Sequence, residues 1–291
     1  KKLRYRCSAC GVEIKKQHKK SVFKVLHGNV DPIAWTYCIE CNSYIRLSNY
    51  NSIVEKNYQS LKTDWGKFGG KVYGYKRERL LKSILGLILR YAPSPLRILD
   101  VGCNYGGFLL KAREAGYSVE GYDLLPDAAE YCKSLNLNVT CHSSSKDLKV
   151  EMKSVDIITC IDVNYYWENQ RSEIKQLTKI LKEDGILLMK VVDKSWMIKI
   201  GLALRAIMPN FSNKILNRSV GNHHFSMPLK SLIELLNQHK LDVFHISAFN
   251  AIQSYDSPFI VKVAFHIGEI FWKVFNIAIS PGWIIIAKKV K

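Results

Sequence analysis

The sequence predicts an α/β fold, a mostly parallel sheet with helices on both faces, preceded by a small metal-binding module. Three observations carry this reading. Strand and helix patterns alternate from residue 97 onward, the first of those strands runs into a glycine-rich turn, and two Cys-x-x-Cys pairs lie near the start of the chain. The 291 residues hold one domain of ordinary size and leave roughly 50 to 100 residues for a second module.

Composition narrows the class. A hydrophobic content of 47% with 23% charged residues excludes a disordered chain. The 43 basic and 25 acidic residues give a net charge of +18, which suits nucleic acid, phosphorylated small molecules or an anionic membrane without choosing among them. The basic residues are spread along the whole length, so the field is diffuse and no RNA-binding tract stands out. No apolar stretch follows an early basic run, and the longest uncharged windows, such as 274–287, are shorter than the ~20 residues of a membrane span. A soluble, cytoplasmic protein is expected.

Cys7-Ser-Ala-Cys10 and Cys38-Ile-Glu-Cys41 place two thiolates each on one side of a tight turn, and two such turns close a tetrahedron around zinc. With all four positions filled by sulfur, no water is left on the metal, so the zinc is structural. A pair of disulfides and a redox dithiol are the competing readings. Residues 22–26 and 35–37 read as strands between the turns, which makes residues 1–50 a zinc ribbon. Cys103, Cys132, Cys141 and Cys160 fall inside strand, helix or turn patterns and read as small buried residues.

Residues 51–95 are a linker and helical lead-in. The aromatic, glycine-rich run 62–75 reads as a loop, residues 77–90 repeat apolar side chains at helical spacing, and Pro93 and Pro95 stop that helix. The main domain, 96–291, follows. Strands are expected at 97–102, 118–123, 138–142, 155–162 and 186–192, with helices at 107–116, 126–135 and 169–185, the first and last closed by Gly116 and Gly185.

In the turn "DVGCNYGG", Gly102 and Gly107 fit the spacing of a dinucleotide fingerprint, whereas Asp100, Gly102 and Gly106 fit that of an S-adenosylmethionine site. Asn104 holds the middle position in both. The turn is expected to offer bare backbone N–H groups and a helix N-terminus to an anion, and Asp123, ending the second strand, to accept bonds from ribose hydroxyls. The turn alone leaves the nucleotide open.

The remainder of the domain is more specific. "LDVGCNYGGFL", "GYDL", "VDIITCIDV" and "LTKILKEDGILLMKVV" resemble, in order and spacing, the class I S-adenosylmethionine-dependent methyltransferases. "NHHFSMPLKSLIELLNQHKLDVFHISAF" (222–249) is similar to the helix and sixth strand of the bacterial small-molecule branch, which includes enzymes of sugar, polysaccharide and antibiotic pathways. "GWIIIAKKV" (282–290) then corresponds to a seventh strand inserted antiparallel beside the sixth. The resemblance covers about residues 70–291 and implies a Rossmann-like, seven-stranded fold. Several sugar C-methyltransferases also begin with a four-cysteine zinc module but carry a further C-terminal domain, and a zinc-ribbon branch that methylates ribosomal RNA has a shorter cysteine spacing.

The resemblance implies that Gly102, Asn104 and Gly106 wrap the methionine part of the donor, with Asp100 and Tyr105 also among the cofactor-binding residues. Asp123 holds the ribose, Leu124 flanks the adenine, Asp147 accepts from the adenine amino group, and Asp162 faces the methionine end. Where the family has a Glu-His pair, this chain has Tyr165-Tyr166 followed by Trp167. A proton acceptor is therefore sought elsewhere. His223, His224 and the Tyr166 hydroxyl are the candidates, the alternatives being that the histidines cap the helix beginning near Pro228 and that the aromatics form a wall. Two helical insertions, near 194–230 and 255–280, carry apolar helices with lysines on the remaining face, suited to capping the active site or to resting on a membrane. The function implied is methyl transfer to a small-molecule acceptor, a sugar or natural-product intermediate foremost. An RNA base methyltransferase and a non-catalytic binding module are the alternatives.

Overall fold

The computed structural model describes residues 6–14, 22–27, 30–47, 75–220, 223–248, 259–275, 277–280 and 282–290. The loop reading of 62–75 therefore falls, apart from Tyr75, outside the described residues. The main domain opens with α1 (Tyr75–Tyr91) and alternates through β4 (Arg97–Val101), α2 (Gly107–Glu114), β5 (Ser118–Asp123), α3 (Pro126–Ser134) and β6 (Asn138–Cys141). It continues through β7 (Val155–Ile161), α4 (Gln170–Ile180) and β8 (Leu181–Val192), and ends with α7 (Leu229–Asn237), β10 (Leu241–Ala248), α8 (Phe259–Phe275) and β11 (Gly282–Lys289).

The sheet order is β10-β11-β8-β7-β4-β5-β6. Strands β6, β5, β4, β7 and β8 are parallel, and β11 is antiparallel to both β8 and β10. Parallel strands require crossovers, and the helices that supply them cover both faces, which is why β7 and β8 are apolar without alternation. The sheet is the seven-stranded, mostly parallel one that the sequence implies.

Two local readings are corrected. The helix expected at 169–185 ends at Ile180, and the strand begins at Leu181, because Leu181 already pairs with Val155 while Ile186 pairs with Ile157. Residues 182–185 bulge between those pairs, and Asp184, not Gly185, takes the left-handed angle (φ 63°). Helix 107–116 does close on Gly116 at φ 89°. In the first insertion, the expected helix is two helices, α5 (Ser195–Ala203) and α6 (Pro209–Val220), with a 3-10 turn at 204–206 between them. Pro209 lacks an N–H to continue the first helix and is suited to start the second.

The N-terminal module is a sheet of β1 (Phe23–His27), β2 (Val30–Cys38), β3 (Ser43–Arg46) and β9 (Phe225–Ser226). Its fourth strand belongs to the main domain: Ile45 pairs with Phe225 and Tyr44 with Ser226. Two apolar clusters extend this junction. The four ribbon cysteines pack with Ile45, Tyr165, Trp167, Phe225 and Met227, while Phe23, Val25, Trp35 and Tyr44 pack with Ile198, Leu216 and Val220 of α5 and α6. The turn carrying Cys7 and Cys10 rests on the start of α4, where the Gln170 N–H donates to the Ser8 carbonyl (2.8 Å) and Arg171 Nε to the Cys10 carbonyl (3.0 Å).

Because ribbon and sheet share buried apolar surface, they are expected to unfold together. Phe225, 1% exposed, lies at the seam; Phe225→Ala should cost about 3–5 kcal/mol in denaturant unfolding and preserve one cooperative transition. An early, separate ribbon transition in the unsubstituted protein would contradict the shared core.

Candidate active site at the carboxyl edge of the sheet

Strand β4 ends in the turn 102–106, with Gly102 at φ 68°, Asn104 at φ 50° and Gly106 at φ 73°. The left-handed angle at Asn104 is one that asparagine tolerates better than most residues. Its side chain adds something glycine lacks: Oδ1 accepts the Tyr105 N–H at 2.8 Å. A Cβ on Gly102 would lie 2.5 Å from Val163 Cγ2, so the turn after β4 presses directly on the turn after β7.

The amides of this turn are engaged within the protein, which corrects the expectation of bare N–H groups. Gly102 and Cys103 donate to the Tyr122 carbonyl, Asn104 to Asp123 Oδ2 (2.7 Å), Tyr105 to Asn104, and Gly106 to the Cys103 carbonyl. Only the first turn of α2, whose amides have no partner within the helix, is left to meet an anion there. A five-amide phosphate cradle is thereby excluded.

Asp123, buried at the tip of β5, also accepts the Leu125 N–H at 2.9 Å on Oδ1. Burial raises its carboxyl above the usual range while the Leu125 and Asn104 amides oppose this. Each oxygen retains a second lone pair for a hydroxyl donor. Asp100 is buried one strand over and accepts from the Thr159 hydroxyl at 2.6 Å, tying β4 to β7 beneath the turn. Tyr105 is buried against Tyr131, with ring centroids 5.7 Å apart. Leu124 is 37% exposed, and Asp147 is exposed in the loop after β6.

That loop is positioned by a residue the sequence reading passed over. Glu173 of α4 accepts from the Ser144 hydroxyl and from the Ser145 amide (2.9 Å) and hydroxyl (2.6 Å). A glutamate on the inward face of an otherwise apolar helix stripe was the available signal. Cys141 corrects another expectation: it is exposed, because β6 is the edge strand, whereas Cys103, Cys132 and Cys160 are buried.

The residues after β7 and β8 converge beside the donor turn. Asp162 has φ 59° and forms an ion pair with Lys190, a lysine buried in the middle of an apolar strand, which is itself a signal of a charged partner. Tyr165 stacks on His223 with ring centroids 3.9 Å apart and planes at 24°, and Tyr166 meets the same imidazole edge-on at 6.0 Å. Burial, then Asp162, pushes the Tyr166 hydroxyl up. Burial and Lys194 push His223 down to about 3, against the pull of Asp162, and burial followed by Arg46 pushes His224 down to about 4. Both rings are therefore neutral at physiological pH.

The histidines do not cap the following helix. Asp193 does so: it accepts the Leu229 N–H (2.9 Å) together with the Ser195 amide and hydroxyl, fixing the end of β8 to the starts of α5 and α7. His224 instead serves through its backbone, donating to the Tyr165 carbonyl (3.0 Å) and accepting from the Arg46 amide (2.9 Å). His223 is half-buried, while His224 is 4% exposed.

The profile of the family described as "Methyltransferase domain" matches residues 73–246, well over half of the chain. The chain belongs to this family of S-adenosylmethionine-dependent methyltransferases. Ubiquinone biosynthesis O-methyltransferases are among its relatives: that of Rickettsia akari is 24% identical over 148 residues, 47% of this chain and 59% of the relative. That of Glaesserella parasuis is 31% identical over 111 residues, 34% and 46% respectively. The matched region thus spans about half the length of these curated relatives. Among solved structures, the fold is similar to Burkholderia thailandensis 1,6-didemethyltoxoflavin-N1-methyltransferase with bound S-adenosylhomocysteine (TM-score 0.55, 13% identity, 91% of this chain and 99% of that one). A SAM-dependent methyltransferase from Archaeoglobus fulgidus gives a TM-score of 0.51 at 20% identity, covering 77% and 99%.

In this methyltransferase the residues at the carboxyl edge suit the donor. Asp123 offers carboxylate lone pairs for a ribose, exposed Leu124 an apolar face, Asp147 an exposed acceptor, and Asp162 an anion at the tip of β7.

The ribbon carries a second cluster. The sulfurs of Cys7, Cys10, Cys38 and Cys41 all lie within 4.8 Å of one another and are buried. Cys7 and Cys41 are 3.7 Å apart and Cys10 and Cys38 3.8 Å, close to the edge of about 3.8 Å that a sulfur tetrahedron has at a metal distance of about 2.3 Å. A disulfide needs about 2.05 Å, so the disulfide reading is set aside.

Two outcomes are expected. Asp123→Ala should weaken S-adenosylmethionine binding by at least about tenfold in calorimetry, a loss of about 1.4 kcal/mol. His224, held near 4 against about 6.5 in the unfolded chain, binds fewer protons when folded, so its contribution is present above about pH 6.5 and is lost as pH falls toward 4. Unfolding free energies measured across that window should therefore decline more steeply for the parent than for His224→Gln, by on the order of 3 kcal/mol in all. Contributions of the carboxyls and cysteines are common to both proteins and cancel in the difference.

Proposed function

We propose that this methyltransferase acts on a small-molecule acceptor carrying a hydroxyl on a ring, with His223 holding the displaced proton. The observation that carries this is the aromatic corner of Tyr165, Tyr166 and His223 against the Asp162–Lys190 pair, beside the donor turn. A flat aromatic face suits a planar or sugar ring, and the O-methylation for which the ubiquinone-pathway relatives are named is consistent with a hydroxyl nucleophile.

S-adenosylmethionine, when bound, supplies an electrophilic methyl on a sulfonium whose leaving group needs no protonation. The chain's own work is to align and to manage one proton. Asp123, Leu124 and Asp147 hold the nucleoside side, and Asp162, fixed by Lys190, presents a negative charge at the methionine side. The absence of a side chain on Gly102 lets the donor turn lie close against Val163 of the turn after β7. Burial keeps the His223 imidazole unprotonated, so at neutral pH it can take the hydroxyl proton, and the stack on Tyr165 fixes its plane. The low basicity implies that it acts as a proton is released, in concert with transfer, rather than by forming an alkoxide beforehand.

The four-cysteine cluster is proposed to hold one structural zinc. Four thiols in one buried shell cannot all ionise without a cation, and zinc takes four sulfurs at this spacing. The metal then stiffens the turn seated on α4 and, through β3 and β9, the segment that carries His223.

For the chemistry, a panel of hydroxylated aromatics and sugars is assayed for S-adenosylhomocysteine release. His223→Ala should lower turnover by about 10²- to 10⁴-fold with donor affinity unchanged within about twofold. Undiminished turnover in that variant, or no donor binding by the parent protein, would overturn the reading. For the metal, elemental analysis should return one zinc per chain, and Cys38→Ser should lose it and melt at a lower temperature, in one transition because the ribbon shares its core with the main sheet.

A further inference from the structure

The insertion between β8 and β9 bears a surface made of none of the residues assigned above to donor binding or proton transfer. Residues 194–220 contain Lys194, Lys199, Arg205, Lys214 and Arg218, and no acidic residue. Lys194 is half-buried and donates to the Arg218 carbonyl at 2.9 Å, while the side chains of the other four are exposed. The insertion is rigidly seated: Gly201 packs so closely on Leu216 that a Cβ would meet it at 2.8 Å, and the Ser212 hydroxyl donates to the Gly201 carbonyl at 2.6 Å. Its inner face is filled by Ile198, Leu216 and Val220 against the ribbon sheet.

The outer corner between α5 and α6 is different. Ile207 is 79% exposed, and Ile200, Met208 and Phe211 are 45–49% exposed. Single exposed apolar residues are ordinary, but four in one short segment that also carries four exposed cations and no acidic residue are the composition of an interfacial membrane element. Helix α8 offers the contrast: its exposed stripe of Val263, Ile267, Ile270 and Val274 is as apolar, but Lys273 is paired with Glu269, and the helix sequence holds only one further lysine. Charge therefore selects the α5–α6 corner.

We propose that this corner seats the protein on an anionic lipid bilayer. Ile207, Met208 and Phe211 enter the headgroup boundary, and Lys199, Arg205, Lys214 and Arg218 meet the phosphates. No helix among the described residues is long and apolar enough to cross a membrane, so the contact is peripheral. The insertion leaves β8 at its carboxyl end, the edge that carries Asp162 and, on the parallel strand β5, Asp123. The bilayer would thus lie on the side of the molecule where the acceptor enters.

The test uses the full chain and needs no acceptor. Protein is sedimented with vesicles of phosphatidylcholine alone and of an equal mixture of phosphatidylcholine and phosphatidylglycerol. Binding to the mixed vesicles should be at least about tenfold tighter and should weaken as salt is raised. The double variant Ile207→Asp, Met208→Asp should lose about tenfold or more of it, as should Lys199→Gln with Arg205→Gln, while donor binding and melting temperature stay at parent values because these side chains are exposed. Equal sedimentation with both vesicles overturns the proposal. So does loss of binding in Ile270→Asp but not in the Ile207, Met208 pair, or concentration-dependent dimerisation abolished by that pair without any lipid binding.

Discussion

The backbone of His224 is the joint on which the two halves of the molecule depend. Its amide donates to Tyr165 at the carboxyl edge of the main sheet and its carbonyl accepts from Arg46 in the ribbon. One residue thus carries a ladder from the N-terminal module to the turn after β7. The neighbouring positions follow from it: Phe225 is placed in the shared core, and His223 is turned back against Tyr165. The four-cysteine ribbon is thereby joined to the segment that carries His223.

Polar burial around this joint is compensated residue by residue. Asp123 collects two backbone amides, Asp193 two amides and a hydroxyl, Glu173 an amide and two hydroxyls, and Asp162 an ammonium. An unpaired buried carboxylate would cost several kcal/mol, so each of these acids fixes the loop whose donors it uses. The carboxyl edge is consequently held by anions tied to particular strand ends. The two histidines are the exception, kept neutral by burial and nearby cations.

Much of this was legible in the chain. Alternating strands and helices, the left-handed positions at Gly102, Asn104, Gly106 and Gly116, and the doubled Cys-x-x-Cys spacing are local signals, and each has a local physical cause. The misses share a different cause. Strand β9 is two residues long and has no pattern of its own; it exists because β3 presents an edge to it. The start of β8 at Leu181 was hidden because the pairing partner, Val155, lies 26 residues earlier, and the engaged amides of the donor turn depend on the Tyr122 carbonyl and on Asp123 from the next strand.

The sequence by itself determined the alternating strands and helices of the parallel part of the sheet and the four sulfurs, since these follow from periodicity, turn residues and spacing within short windows, while the methyltransferase family and the antiparallel last pair of strands were implied by the resemblance of whole motifs in order. The tertiary structure alone decided that the ribbon pairs with the segment beside the carboxyl edge of the sheet, that Asp193 rather than a histidine caps α7, and that His223 faces Tyr165 beside the Asp162–Lys190 pair. Those outcomes rest on contacts between residues far apart in the chain, where hydrogen-bond satisfaction and burial are settled by which surfaces meet.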